Sequence, residues 1–309
     1  MITPAPIKPG ATFAVISPAS APKTEKLDRG LDYLRSKGFK IKEGPNLRGK
    51  NKYLSGHGPE QLADIHWAFE DAEVDAIICS RGGYGTPRYL DDLNYELIAQ
   101  HPKFFIGYSD ITALQCALAV ETGLVTISGV MTAVEMADES GIDTFTEQVF
   151  WDLISKPMRG QVLKNPKEMA YTTHSSGIGE GPLVGGCLSL FNNLMGTPYF
   201  PDVAGGIMVL EDIGENAQHL DRMLSQFKMA GFFHGEESIN GLMLGQFIDT
   251  WEQADEDDFF LEELVRDIIG DVDYPVISGV AYGHGMRKMT LPLGAQVKLN
   301  GEDGSLTLL

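Results

Sequence analysis

Apolar residues in the first half of the chain fall alternately into short unbroken runs and into longer stretches with helical spacing. Phe13-Ala14-Val15-Ile16-Ser17 predicts a strand, after which Leu27, Leu31 and Leu34 recur on one helix face until Gly38 ends it. Phe39-Lys40-Ile41-Lys42 predicts a second strand, and Pro59 to Asp71 a helix carrying Leu62, Ile65, Trp67 and Phe69. Val74 to Cys79, Phe104 to Ile106 and Val125 to Ser128 predict three more strands, and a helix from Asp143 to Ile154 closes this half. Strands alternating with helices build βαβ units, hence an α/β domain with a parallel sheet. Ligands collect at the carboxyl ends of such strands. The loops Ser17 to Ser20, Ser80 to Gly85 and Gly107 to Asp110 are therefore where a site is expected.

From Lys156 to Gly181 the periodicity fades into Pro, Gly, Thr and Ser. A domain boundary is expected there: residues 1–160 form the first domain, 161–180 a linker and 181–309 the second domain. Beyond it Gly206 to Leu210, Gly241 to Gly245, Val276 to Val280 and Gln296 to Leu299 predict short strands. Fewer helices separate them, the clear ones being Leu188 to Met195, Ala217 to Met229 and Phe259 to Ile269, so the second domain reads as smaller and mainly β.

Composition narrows the classes. Hydrophobic residues at 43% and charged residues at 22% describe a globular protein, and no run approaches the roughly 18 apolar residues of a membrane span. The start at Met1-Ile2-Thr3-Pro4 resembles no signal peptide, so a cytoplasmic location is expected. Cys79, Cys116 and Cys187 are odd in number and widely spaced, which predicts reduced thiols. A net charge of −19 argues against a nucleic-acid partner. Residues 201–309 hold 6 Lys/Arg against 20 Asp/Glu, much of it between Asp249 and Glu263 and including Glu256-Asp257-Asp258, which reads as a solvated face.

In Phe104-Phe105-Ile106-Gly107-Tyr108-Ser109-Asp110-Ile111, a buried run gives way to a helical pattern, which puts Ser109 on a strand-to-helix corner. Such a corner exposes a serine oxygen and aims the following backbone N–H groups at an oxyanion. The fifth position is Ile111 rather than the glycine of Gly-x-Ser-x-Gly, and the alternative is that Ser109 and Asp110 cap the next helix. A serine nucleophile needs a general base and an acid to orient it. Among His57, His66, His101, His174, His219, His234 and His284, only His284 ends a strand with glycines on both sides. Glu211 ends the apolar run Ile207 to Leu210, whereas Asp212 and Glu215 fit the start of the following helix. The loop Arg81-Gly82-Gly83-Tyr84-Gly85 lacks the endings of nucleotide loops, and its N–H groups suit an oxyanion hole, with Arg81 available for a carboxylate. Glu215 and His219 lie one turn apart without a third ligand, so no metal is expected.

Together Ser80 to Gly85, Ile106 to Asp110, Gly185-Gly186 before Leu188, Gly196-Thr197-Pro198-Tyr199, Leu210-Glu211-Asp212 with Asp221-Arg222, and Gly283-His284 before Thr290 to Ala295 follow one order along nearly the whole chain. In these motifs the chain resembles the LD-carboxypeptidases, serine peptidases of bacterial peptidoglycan recycling to which the microcin C immunity peptidases are related. The resemblance implies a flavodoxin-like parallel-sheet N-terminal domain carrying nucleophile Ser109, and a mainly β C-terminal domain carrying base His284 and acid Glu211. It also implies an oxyanion hole of backbone N–H groups at Gly83 and Asp110, with Arg81 and Tyr84 as substrate contacts. The implied reaction releases the terminal D-alanine of a murein tetrapeptide, free or on a muropeptide, with no cofactor and in a homodimer. The alternatives are a microcin-type peptidase acting on an acyl-sulfamoyl-adenylate, with Tyr171, Trp251 and Phe259 available as an aromatic shelf, or a catalytically silent muropeptide-binding protein. The family usually has Asn after the paired glycines where this chain has Cys187, which reads as a packing thiol.

Overall fold

Each apolar run in the first half becomes a strand of one parallel sheet. The computed structural model of the chain describes residues 1–251 and 259–309, so Glu256-Asp257-Asp258 of the acidic run lies outside the described residues. The chain divides into two units: Met1–Met158 with Gly196–Phe200 and Thr290–Gly294, and Arg159–Met195 with Pro201–Met289 and Ala295–Leu309.

The first unit runs β1 (Thr12–Ile16), α1 (Thr24–Ser36), β2 (Lys40–Glu43), α2 (Gly58–Glu70), β3 (Ala76–Cys79), a 3-10 helix (Thr86–Asp92), α3 (Tyr95–Gln100), β4 (Phe104–Gly107), α4 (Ile111–Thr122), β5 (Thr126–Ser128) and α5 (Thr144–Ser155). The parallel order β2-β1-β3-β4-β5 is that of the flavodoxin-like fold. Every residue of β1, β3, β4 and β5 is buried, which is why these strands are unbroken apolar runs rather than alternating ones. The edge strand β2, Lys40-Ile41-Lys42-Glu43, is open to solvent, and its charges guard the free edge against further pairing.

On the other edge lies Leu291–Leu293, antiparallel to β5, with Pro292 opposite Ile127. The sequence offers only a motif here, because proline removes a ladder donor; an edge strand has one unpaired side and tolerates it. Helix α5 starts as expected at Asp143, whose carboxylate accepts the N–H groups of Phe145 and Thr146 at 3.1 Å each. Asp143→Ala removes both bonds and is expected to lower stability by about 1 kcal/mol, read as a shift of the urea midpoint.

The second unit runs β6 (Val162–Leu163), β7 (Thr172–Ser175), β8 (Ile178–Cys187), α6 (Leu188–Asn193), β9 (Ile207–Ile213), α7 (Ala217–Met229), β10 (Gly241–Ile248), α8 (Leu261–Leu264) continuing into a π-helical turn (Val265–Ile269), and β11 (Val276–Ser278). With Leu291–Leu293 counted as β12, β13 (Gln296–Asn300) and β14 (Ser305–Leu308) follow. One sheet of order β6-β14-β13-β8-β9-β10-β11-β7 results. Its centre, β8 to β11, is parallel, and its flanks are antiparallel.

Several expectations change here. Residues 161–180, read as a linker, contain β6, β7 and the start of β8. The glycines of Ile178-Gly179-Glu180-Gly181-Pro182 hide the longest strand of the unit. A Cβ at Gly179, Gly181 or Gly185 would collide with the carbonyl oxygens of Asn240, Gly205 and Val209, so these glycines serve close strand approach rather than loops. Pro182 lies one residue before the pairing with β9 begins at Leu183, where its missing N–H leaves no gap in that ladder. Among the described residues, no helix is long and apolar enough to cross a membrane.

Candidate functional site

In the first unit β4 ends at Gly107 and α4 begins at Ile111, and the chain turns between them at Ser109. Ser109 has φ of 67°, a left-handed conformation that costs a residue with a side chain about 1–3 kcal/mol. Only Lys52 and Asp249 share it among the described non-glycine residues, so the corner is a strained one. Gly82 explains how the neighbouring loop lies against the serine: a Cβ there would stand 2.8 Å from Ser109 Cβ and 3.0 Å from its Oγ.

The loop after β3 is shaped by Ser20. Its N–H donates to the Gly82 carbonyl at 3.3 Å, and its Oγ accepts the Tyr84 N–H at 3.2 Å. A Cβ on Gly83, whose φ is 112°, would come within 2.5 Å of Ser20 Oγ. Among the described residues the Gly83 N–H has no acceptor, as an oxyanion donor requires. Half-buried Arg81 donates from Nε to the Gly82 carbonyl at 3.3 Å. Tyr84 is exposed and meets Tyr53 edge to face, with ring centroids 5.5 Å apart.

Asp110 overturns the capping alternative. It occupies the N-cap of α4, but its side chain bonds no N–H of that helix. The carboxylate instead accepts the N–H groups of Gly85 (3.2 Å) and Thr86 (2.9 Å), while Thr86 Oγ1 donates to the Asp110 carbonyl at 2.6 Å. Burial holds its carboxyl above the ordinary carboxylate range, an effect that the Thr86 and Gly85 donors offset only in part.

In the second unit Glu211 lies on β9, opposite Cys187 of β8, and is 1% exposed. His284 Nδ1 and Glu211 Oε2 are 2.7 Å apart. An ionised carboxylate can only accept, so Nδ1 donates, and Nε2 is left as the basic nitrogen of the neutral ring. The histidine's glycine neighbours both prove necessary. A Cβ on Gly283, at φ 127°, would sit 2.6 Å from Glu211 Oε2, and one on Gly285 would strike the Gln246 amide. Gln246 Oε1 accepts the Gly285 N–H at 3.1 Å and Nε2 donates to the Arg287 carbonyl at 3.4 Å, fixing the loop on both sides of His284. Sequence reasoning missed Gln246, because a polar residue on β10 carries no local signal of which loop it will meet.

Asp212 caps α6 rather than opening α7: its carboxylate accepts the N–H groups of Ser189 (2.7 Å) and Ile213 (2.8 Å) and the Cys187 thiol at 3.6 Å. The N-cap of α7 is Asn216. Burial pushes the Cys187 thiol well up, and Glu211 and Asp212 add to it, so this sulfur stays protonated and packs. Cys187 also has an ordinary φ of −65°, unlike Ser109.

The remaining histidines are held locally. His57 Nδ1 meets Asn51 Nδ2, His66 Nε2 accepts the Asn94 N–H, and His101 ends α3. His174 Nε2 meets Ser278 Oγ, His219 Nδ1 meets Glu215, and His234 Nε2 meets the Ile269 carbonyl. Of the aromatic residues available for a shelf, Tyr171 donates its hydroxyl to the Glu302 carbonyl while its ring packs over Gly304. Trp251 lies against Phe260, with centroids 5.9 Å apart.

The first unit thus holds a serine on a strained strand-to-helix corner, and the second unit an imidazole hydrogen-bonded to a buried carboxylate. Comparison with known proteins gives the class. Residues 13–129 match the family model of the LD-carboxypeptidase N-terminal domain, and residues 180–299 that of the C-terminal domain. A probable murein peptide carboxypeptidase of Bacillus subtilis (strain 168) is 36% identical over 96% of this chain and 91% of its own. The murein tetrapeptide carboxypeptidase of Pseudomonas aeruginosa is 30% identical over 93% and 92%. The crystal structure of an MccF-like protein from Bacillus anthracis str. Ames superposes with a TM-score of 0.89 at 27% identity, covering 100% of this chain and 99% of that one. The chain belongs to the LD-carboxypeptidase family, peptidase S66, and is a serine carboxypeptidase.

Proposed function

We propose that this protein cleaves the bond between the L-centre of the diamino acid and the terminal D-alanine of murein tetrapeptides, with Ser109 as nucleophile, His284 as general base and Glu211 as the acid that orients it. The names of the Bacillus subtilis and Pseudomonas aeruginosa relatives support the substrate. The observation that carries the chemistry is Ser109 itself, a non-glycine residue held at φ 67° where β4 meets α4.

In the proposed reaction, His284 Nε2 takes the Ser109 hydroxyl proton as Oγ attacks the carbonyl of the diamino acid. The N–H groups of Gly83 and Asp110 hold the resulting oxyanion. As the C–N bond breaks, His284 returns the proton to the departing amine of D-alanine, leaving an acyl-serine. Water, deprotonated by the same imidazole, then releases the tripeptide and restores the serine. Arg81 pairs with the terminal carboxylate, Tyr84 lines the approach, and no cofactor takes part. The protein acts on free tetrapeptides or muropeptides in the cytoplasm as a homodimer.

Incubation with L-Ala-γ-D-Glu-meso-diaminopimelate-D-Ala is expected to yield D-alanine and the tripeptide, detected by mass spectrometry. The same peptide ending in L-alanine should stay intact. Cleavage of both peptides at equal rates, or of neither, overturns the bond assignment.

A further inference from the structure

An aspartate at a helix N-cap ordinarily folds back onto the first N–H groups of its own helix. In α4 those donors are served by backbone: Ile111 by the Tyr108 carbonyl at 3.4 Å, Thr112 by Ser109 at 2.9 Å and Ala113 by Asp110 at 3.4 Å. The Asp110 carboxylate is therefore spare, yet it is 1% exposed and, among the described residues, forms no ion pair. Burying a carboxylate without a cation is costly, so the bonds it does make are informative. Both go to the start of the 3-10 helix, at Gly85 and Thr86, and the Thr86 hydroxyl returns a third bond to the Asp110 carbonyl.

These three bonds join the serine corner to the glycine loop at a specific place. Gly83, two residues before the tie, and Asp110 itself carry the two N–H groups assigned to the oxyanion hole. The loop between Arg81 and Thr86 has little stiffness of its own, since Gly82, Gly83 and Gly85 occupy three of its four central positions and the last two have φ of 112° and 126°. Among the described residues, the hydrogen bonds that anchor this segment from outside run to Ser20 and to Asp110.

We propose that the Asp110 side chain is a positioning residue that sets the spacing between the two oxyanion donors, a role that rests on Ser109 being the nucleophile. The carboxylate touches no reacting atom. It acts by preventing the Gly83 N–H from drifting away from the Asp110 N–H when negative charge develops on the carbonyl oxygen.

The test measures the rate at which a fluorophosphonate labels Ser109, because its phosphoryl oxygen must enter the oxyanion hole and no peptide is needed. Asp110→Asn keeps the shape, but its amide can accept only one of the two N–H groups and turns its NH2 toward the other. Labelling and kcat for D-alanine release should each fall by about 30- to 100-fold while KM stays within about threefold, the pattern of a lost oxyanion interaction. Thr86→Val, which loses the hydroxyl bond at constant volume, should slow labelling by about 3- to 10-fold, and Thr86→Ser should recover most of it.

A folded Asp110→Asn variant that labels within about threefold of the parent, or that raises KM alone, overturns the positioning role and leaves Ser109 as nucleophile. If Asp110→Asn does not fold, equal labelling of the Thr86→Val and Thr86→Ser variants overturns it instead. A parent protein that is not labelled at Ser109 overturns the nucleophile assignment and this inference with it.

Discussion

Ser109→Ala is expected to release D-alanine from the tetrapeptide at least about a thousandfold more slowly than the parent protein, with KM little changed. Alanine retains the Cβ and with it the left-handed strain at φ 67°, so the corner keeps its shape and only the attacking oxygen is lost. The proposed oxyanion donors and substrate contacts survive, which leaves a residual rate above that of water. The measurement is single-turnover D-alanine release, with the urea midpoint followed in parallel to confirm that the fold is intact. Equal release from parent and variant would remove Ser109 from the mechanism and direct attention to another nucleophile.

Glu211→Gln is the second large effect, and its reason is the direction of one hydrogen bond. The carboxylate Oε2, 2.7 Å from His284 Nδ1, can only accept, and so it keeps the ring hydrogen on Nδ1 and the lone pair on Nε2. An amide of the same shape can present its NH2 to Nδ1, which moves the ring hydrogen to Nε2 and blocks its proposed role as a base. A loss of about 10³- to 10⁴-fold in kcat is expected. Because Gly283 leaves the same room for either side chain, the variant should fold. A loss below about tenfold would show that the orientation of His284 is set elsewhere, with Gln246 the first residue to examine.

Much of this was legible in the sequence, for reasons that differ by region. In the parallel sheet of the first unit, β1, β3, β4 and β5 are covered on both faces, so the sequence shows them as plain apolar runs. Strand β8 was hidden because its glycines answer to carbonyl oxygens on neighbouring strands, a tertiary demand that looks locally like a loop. Strand β12 was hidden by Pro292, which only an edge position excuses. The candidate site was partly visible for the same physical reasons. Ser109 announced itself by the break between a buried run and a helix, and His284 by glycines that the Glu211 and Gln246 side chains turn out to require. The alternative that Asp110 caps its own helix stayed open in the sequence because its side-chain partners, Gly85 and Thr86, lie some 24 to 25 residues earlier in the chain. Distance along the chain is what local patterns do not record.

The segments Gly196–Phe200 and Thr290–Gly294 belong to the first unit although they are embedded in the sequence of the second. Neither unit can therefore be excised by a single cut. A fragment ending at Met158 would lack Leu291–Leu293, and β5, Thr126–Ser128, would become an open sheet margin offering its backbone to other chains. A cut at the chain's apparent midpoint is therefore expected to give two incomplete pieces rather than two domains.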